Sequence, residues 1–114
     1  MKISIKQTNI ENTEALSEYI NKKIGSLSRF LKKIEQKFEA VLYLEIARNT
    51  KHHRSGNVFS ADAKLVLPKK TLYASQTGPD IRIVINDLKE KLEQEIKKYK
   101  EFRKSKLKSQ NSKF

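Results

Sequence analysis

The chain has 114 residues, with 25 Lys or Arg against 13 Asp or Glu, a formal charge of +12 and no cysteine. That length suits one domain, able to bury somewhat over about 60% of the surface its unfolded form exposes. The composition excludes a disulfide framework and any cysteine-based metal site or nucleophile, and a pI near 9.9 favours a polyanionic partner, nucleic acid first.

Lysine-rich surfaces also serve plain solubility, so the motifs must decide. The amino-terminal MKISIKQTN lacks the ~7–15-residue apolar segment of a signal peptide, and no run approaches ~18 apolar residues. A cytoplasmic protein without membrane association is the expectation.

From Lys2 to Lys6 the sequence alternates, Ile3 and Ile5 on one side and Lys2, Ser4 and Lys6 on the other, which predicts a half-buried strand. Asn12 or Thr13 can then cap a helix with Glu14 and Glu18 near its positive end. Its apolar stripe is Leu16, Tyr19, Ile20, Ile24, Leu27 and Leu31, which carries the helix unbroken through Gly25 to about Phe30. Phe38 to Arg48, rich in aliphatic and aromatic residues, predicts a second strand with Leu42, Leu44 and Ile46 on one face. After the polar turn NTKHHRSGN, Val58 to Leu67 alternates as the third strand of a hairpin. Thr71 to Ser75 forms a short fourth strand. Gly78 and Pro79 open a final helix, in which Ile81, Ile85, Leu88, Leu92, Ile96 and Tyr99 share one side. Past Lys104 the sequence SKLKSQNSKF has too few apolar residues to pack, and predicts a basic, disordered tail over residues 105–114.

The order β-α-β-β-β-α describes one α+β sandwich over residues 1–104, a four-stranded sheet with two helices on one face and a more open opposite face.

Catalytic chemistry is not evident. His52 and His53 are the only histidines, adjacent in a polar turn with no acid nearby in sequence to complete a ligand set. They read as part of a basic loop with Lys51 and Arg54. There is no glycine-rich phosphate loop, no carboxylate pair at catalytic spacing and no nucleophile elbow. The reading is a non-enzyme without cofactor, metal or small-molecule substrate.

The basic residues are ordered by the helices. Lys91 and Lys98, seven apart, lie together on one border of the last helix's apolar stripe, and Lys89 and Lys100 line its other border. On the first helix Lys22, Arg29 and Lys33 share a polar edge, and Lys23 lies close enough to the stripe that its stem must snorkel outward. Side-by-side packing would bring such edges together as a cationic groove for RNA phosphates.

The segments TEALSEYINKKIGSLSRF, HHRSGNVFSADAKLVLP, LYAS and DIRIVINDLKEKLEQEIKKYK, in this order, resemble the ribosome hibernation promoting factor family, also called ribosome-associated translation inhibitors. The resemblance spans the chain to about Arg103. It implies a fold similar to a double-stranded-RNA-binding domain that binds ribosomal RNA in the mRNA and tRNA decoding channel of the small ribosomal subunit. Translation would be inhibited by occlusion, as a stress response. Carried over position by position, it implies that Lys23, Arg29, Lys91 and Lys98 face ribosomal RNA. Lys22, Lys89, Lys97 and Arg103 are further RNA-binding candidates on charge and geometry. Departures are Arg82, where the family often has tyrosine, Ile83 and Val84 in place of two small residues, and Ser26, Gln94 and Phe102 at positions often basic.

The absence of a second domain after the last helix suggests a short-form factor, monomeric when free. Two other readings stand beside this one: a general structured-RNA-binding module, and a protein-interaction module using the open sheet face around Val41, Tyr43 and Tyr73.

Overall fold

Alternating side chains build the sheet, and the one-sided burial of that alternation decides where the helices go. The computed structural model describes the backbone of residues 1–49 and 58–111 and the side chains of 1–49 and 58–102. The predicted basic loop containing His52 and His53 lies outside the described residues. The elements are β1 (Lys2–Thr8), α1 (Glu14–Gly25), a 3₁₀ helix (Ser26–Phe30), the single-turn α2 (Lys32–Glu35), β2 (Val41–Asn49), β3 (Val58–Leu67), β4 (Lys70–Gly78) and α3 (Ile81–Asn111). One sheet runs in the order β1-β2-β3-β4. β1 and β2 are parallel, joined through the helical crossover, and the other neighbours are antiparallel.

Register aligns the apolar rows. Leu42 pairs with Leu65, and Leu65 with Leu72; Leu44 pairs with Ala63, and Ala63 with Ala74. All six are buried, together with Ile20, Ile24, Leu27 and Leu31 from the crossover and Ile85, Leu88, Leu92 and Ile96 from α3. α3 packs on β3 and β4, the strands that carry the two alanines. The predicted α+β sandwich with its helices on one face is therefore the observed fold. The resemblance to a double-stranded-RNA-binding domain is one of general architecture only.

Both long helices begin on side-chain caps. Thr13 Oγ1 accepts from the Leu16 amide at 3.2 Å, and Asp80 Oδ1 accepts from the Arg82 amide at 2.9 Å. Asp80 thus opens α3, and Pro79 stands just before the helix rather than in its first turn.

Two further differences from the sequence reading have physical causes. The first helix does not run unbroken to Phe30: its α-helical part ends at Gly25 and tightens into the 3₁₀ segment. Gly25 has the lowest helix propensity after proline, and Ser26 Oγ donates to the Lys23 carbonyl at 2.6 Å, drawing the backbone inward. At the other end α3 continues to Asn111, past Lys104, where a disordered tail is predicted. Residues 105–111 contain no Gly or Pro, and Lys, Leu and Gln among them propagate a helix that is already nucleated.

The β3–β4 hairpin closes on Pro68 and Lys69, with Lys69 at φ 62° in the left-handed region. Tyr99 Oη donates to the Pro68 carbonyl at 2.9 Å, fixing α3 to this turn.

Candidate nucleic-acid interface

The seam between the crossover and α3 gathers cations around two aromatic rings. At one end Tyr19 of α1 carries Lys23 Nζ at 5.8 Å and the Arg82 guanidinium at 5.4 Å from its ring centroid. Tyr19 and Lys23 are four residues apart, so they stack on one helix face, and Arg82 reaches across from the first turn of α3. At the other end Phe30 is surrounded by the Arg29 guanidinium at 4.9 Å, Lys97 Nζ at 6.0 Å and Lys100 Nζ at 5.8 Å. Each distance is within cation–π range, and each ring holds several like charges close together at the protein surface.

The 3₁₀ segment is what aims Arg29. Tightening from 3.6 to 3.0 residues per turn adds about 20° per residue, so over four residues Arg29 rotates by roughly 80° from its place on a continuous α-helix. It leaves the polar edge predicted for Lys22, Arg29 and Lys33 and lies over Phe30 instead. Arg82 and Lys97 are fifteen residues apart on α3, or about 22 Å along its axis at 1.5 Å per residue. The two clusters therefore mark a cationic line on the scale of several nucleotides of RNA backbone.

The predicted site residues divide between the two flanks of α3. Lys23, Arg29 and Lys97 come together along the seam. Lys22 is exposed on the last turn of α1, at the helix's negative end, where cations are favoured. Lys89 lies on the same flank as Lys97, only 20% exposed, with Nζ 3.2 Å from Glu93 Oε1, so its charge is largely answered within the protein. That carboxylate oxygen is buried and accepts no hydrogen bond; the contact is an ion pair without hydrogen-bond alignment. Lys91 is two residues from Lys89, hence about 200° around the helix, and with Lys98 it occupies the flank away from α1. Lys98 is 74% exposed and 3.6 Å from Glu95. On the α3 side the seam carries Arg82, Lys97 and Lys100, and Lys91 and Lys98 lie on a separate basic border. Arg103 lies in α3, but its side chain is outside the described residues.

The sequence pattern leaves out Arg82, places Lys100 on a helix border without naming it an RNA contact, and gives Tyr19 and Phe30 only packing roles or none. The Tyr19–Lys23 spacing of four was a readable signal. Arg82 was not, because its partner comes from a helix sixty residues earlier.

Among the described residues no group of three or more His, Asp or Glu could hold a metal ion, and no helix is long and apolar enough to cross a membrane. The sheet face opposite the helices is uncovered, with Tyr43 and Tyr73 49% and 65% exposed.

A four-stranded sheet that starts with a parallel pair and is covered on one face by basic helices defines a small α+β protein. Residues 3–104 match the family described as Sigma 54 modulation protein / S30EA ribosomal protein, and the chain belongs to that family. It is 30% identical to the ribosome hibernation promoting factor of Escherichia coli K12 over 101 residues, covering 89% of this chain and 95% of that one. It is 31% identical over 102 residues to the ribosome hibernation promotion factor of Lactococcus lactis, covering 88% of this chain and about half, 50%, of the relative's length. Among solved structures, the Thermus thermophilus Protein Y N-terminal domain superposes with TM-score 0.69 at 22% identity, covering 87% of this chain and 99% of that one. A ribosomal subunit interface protein from Coxiella burnetii gives 0.66 at 23% identity, covering 88% and 98% respectively. These two likenesses establish the fold.

Proposed function

We propose that this protein is a cytoplasmic, non-enzymatic ribosome hibernation factor. It binds ribosomal RNA of the small subunit in the decoding channel and inhibits translation by occupying the space of mRNA and tRNA. The observation that carries this reading is the convergence of five cations on Tyr19 and Phe30 along the α1–α3 seam. The names of its relatives supply the ribosome as the source of the RNA. Lys23, Arg29, Lys97, Arg82 and Lys100 make the principal phosphate line, with Lys22 beside it. Lys91 and Lys98 add a second basic border, Arg103 is a further RNA-binding candidate on charge, and Lys89 contributes least because Glu93 answers it. Arginine supplies bidentate phosphate contacts and lysine mobile point charges. Residues 1–104 form the binding domain, and residues 105–114 extend its positive charge.

The test is cosedimentation of the protein with ribosomes and separated subunits at two salt concentrations, beside a translation assay. Binding to the small subunit, with translation falling in proportion, is the expected result. Equal affinity for free duplex RNA and for intact subunits would instead identify a general structured-RNA module.

A further inference from the structure

The open face of the sheet carries a second, differently built site. Cross-strand register sets Ser4, Tyr43, Lys64 and Tyr73 in one row and Lys6, Glu45, Asp62 and Ser75 in the next. Between and beside the two tyrosines these side chains line a shallow depression of about 490 Å³, within the size range of small-ligand sites. Tyr43 and Tyr73 stand on strands separated by β3, so their Cα atoms are about 10 Å apart. Lys64 Nζ rises between them, 5.9 Å from the Tyr43 ring. Asp62 Oδ1 accepts from Ser75 Oγ at 2.6 Å, which fixes the carboxylate at the edge of the depression beside Glu45.

Each component answers one part of a nucleotide. An exposed tyrosine ring on a sheet offers a stacking surface to an unpaired base, and every base has such a face. Carboxylates accept hydrogen bonds, so Asp62, held by Ser75, and Glu45 beside it select bases whose edge donates through an exocyclic amino group and disfavour uracil, which has none. Lys64 and Lys6 are placed for the phosphates between successive bases. A large protein ligand fits less well, because the two rings are isolated from one another by charged residues rather than joined in an apolar patch.

We infer that the open sheet face binds single-stranded RNA, stacking unpaired bases on Tyr43 and Tyr73 and reading amino-bearing bases through Asp62 and Glu45. This site is separate from the helix seam, does not require the ribosomal reading, and would let the protein hold structured and unpaired RNA on opposite faces.

The experiment is fluorescence anisotropy of labelled hexanucleotides of cytidine and of uridine with the full chain. The cytidine oligomer should bind several-fold more tightly than the uridine one. Tyr43→Leu/Tyr73→Leu, whose side chains are exposed and outside the core, should weaken cytidine binding by about tenfold or more per ring. Glu45→Ala/Asp62→Ala should bring the cytidine-to-uridine ratio close to unity, a readout that general destabilisation would not produce. Arg29→Glu/Lys97→Glu on the helix seam should lower both affinities while keeping their ratio. Unchanged cytidine binding in the tyrosine variant, no base preference in the unaltered protein, or loss of that preference only in the seam variant would each overturn the inference and leave the face to a protein ligand.

Discussion

Tyr19 and Arg82 are joined twice across the helix seam: Tyr19 Oη donates to the Arg82 carbonyl at 2.9 Å, and the Arg82 guanidinium stands 5.4 Å from the Tyr19 ring. The contact ties the middle of α1 to the first turn of α3 and holds a cation at the surface. Tyr19→Phe removes only the hydrogen bond, which is exposed, and should cost about 0.5–1 kcal/mol in urea unfolding. Tyr19→Leu also removes the ring's attraction for Lys23 and Arg82 and should cost a further ~0.5–1 kcal/mol. Equal stability of the two variants would show that the cation–ring contacts contribute nothing.

Gly78 and Val84 make the close approach where β4 turns into α3. A Cβ at Gly78 would meet Val84 Cγ2 at 3.1 Å, and Val84 is buried. Gly78→Ala should therefore destabilise by roughly 0.5–1.5 kcal/mol through overpacking. In a Val84→Ala background the same change should cost less, giving a coupling of about 0.5 kcal/mol or more in a double-mutant cycle. Additive costs would place the strain elsewhere.

The caps at Thr13 and Asp80 serve separate helices with no shared partner. Thr13→Ala and Asp80→Ala should each cost about 1 kcal/mol, and the double variant should show their sum within about 0.5 kcal/mol. Thermal or urea unfolding of the four proteins measures both statements.

Glu93 is an acid on the flank of α3 that meets the crossover, 3.2 Å from Lys89. Glu93→Gln releases Lys89 for RNA and removes a repulsive charge, so RNA affinity should rise by up to about fivefold at low salt, the equivalent of roughly 1 kcal/mol of Coulomb energy in high dielectric. Lys97→Met should lower it by a similar factor. Loss of affinity in Glu93→Gln would mean that the ion pair orders the seam rather than masking it.

The strands and the core were legible in the sequence because period-two alternation is strict there: β3 spans Val58–Leu67 as expected, and the apolar stripe of α3 is buried from Ile85 to Tyr99. The 3₁₀ segment was hidden because Ile24 and Leu27, three residues apart and both buried, share a side within about 60° under either helical period, so their spacing gives no sign of where the helix tightens. The seam was hidden for another reason. Both flanks of α3 carry lysines, Lys89 and Lys100 on one and Lys91 and Lys98 on the other, and only packing against Tyr19 and Phe30 tells which flank meets the crossover. Of the two α3 borders, the one carrying Lys100 meets the crossover, with Arg82 and Lys97 beside it, a choice made by tertiary contacts rather than by local pattern.

The seam's role is tested most directly by the salt dependence of small-subunit binding, compared between the unaltered protein and Arg29→Glu/Lys97→Glu. If about five phosphates are neutralised, the log–log slope for the unaltered protein should lie near −3.5 to −4.5. The seam variant should bind at least about tenfold more weakly at low salt, with a shallower slope by roughly one to two units. A small-subunit affinity and slope unchanged by the two reversals would contradict the account, because the cations gathered on Phe30 would then take no part in holding ribosomal RNA.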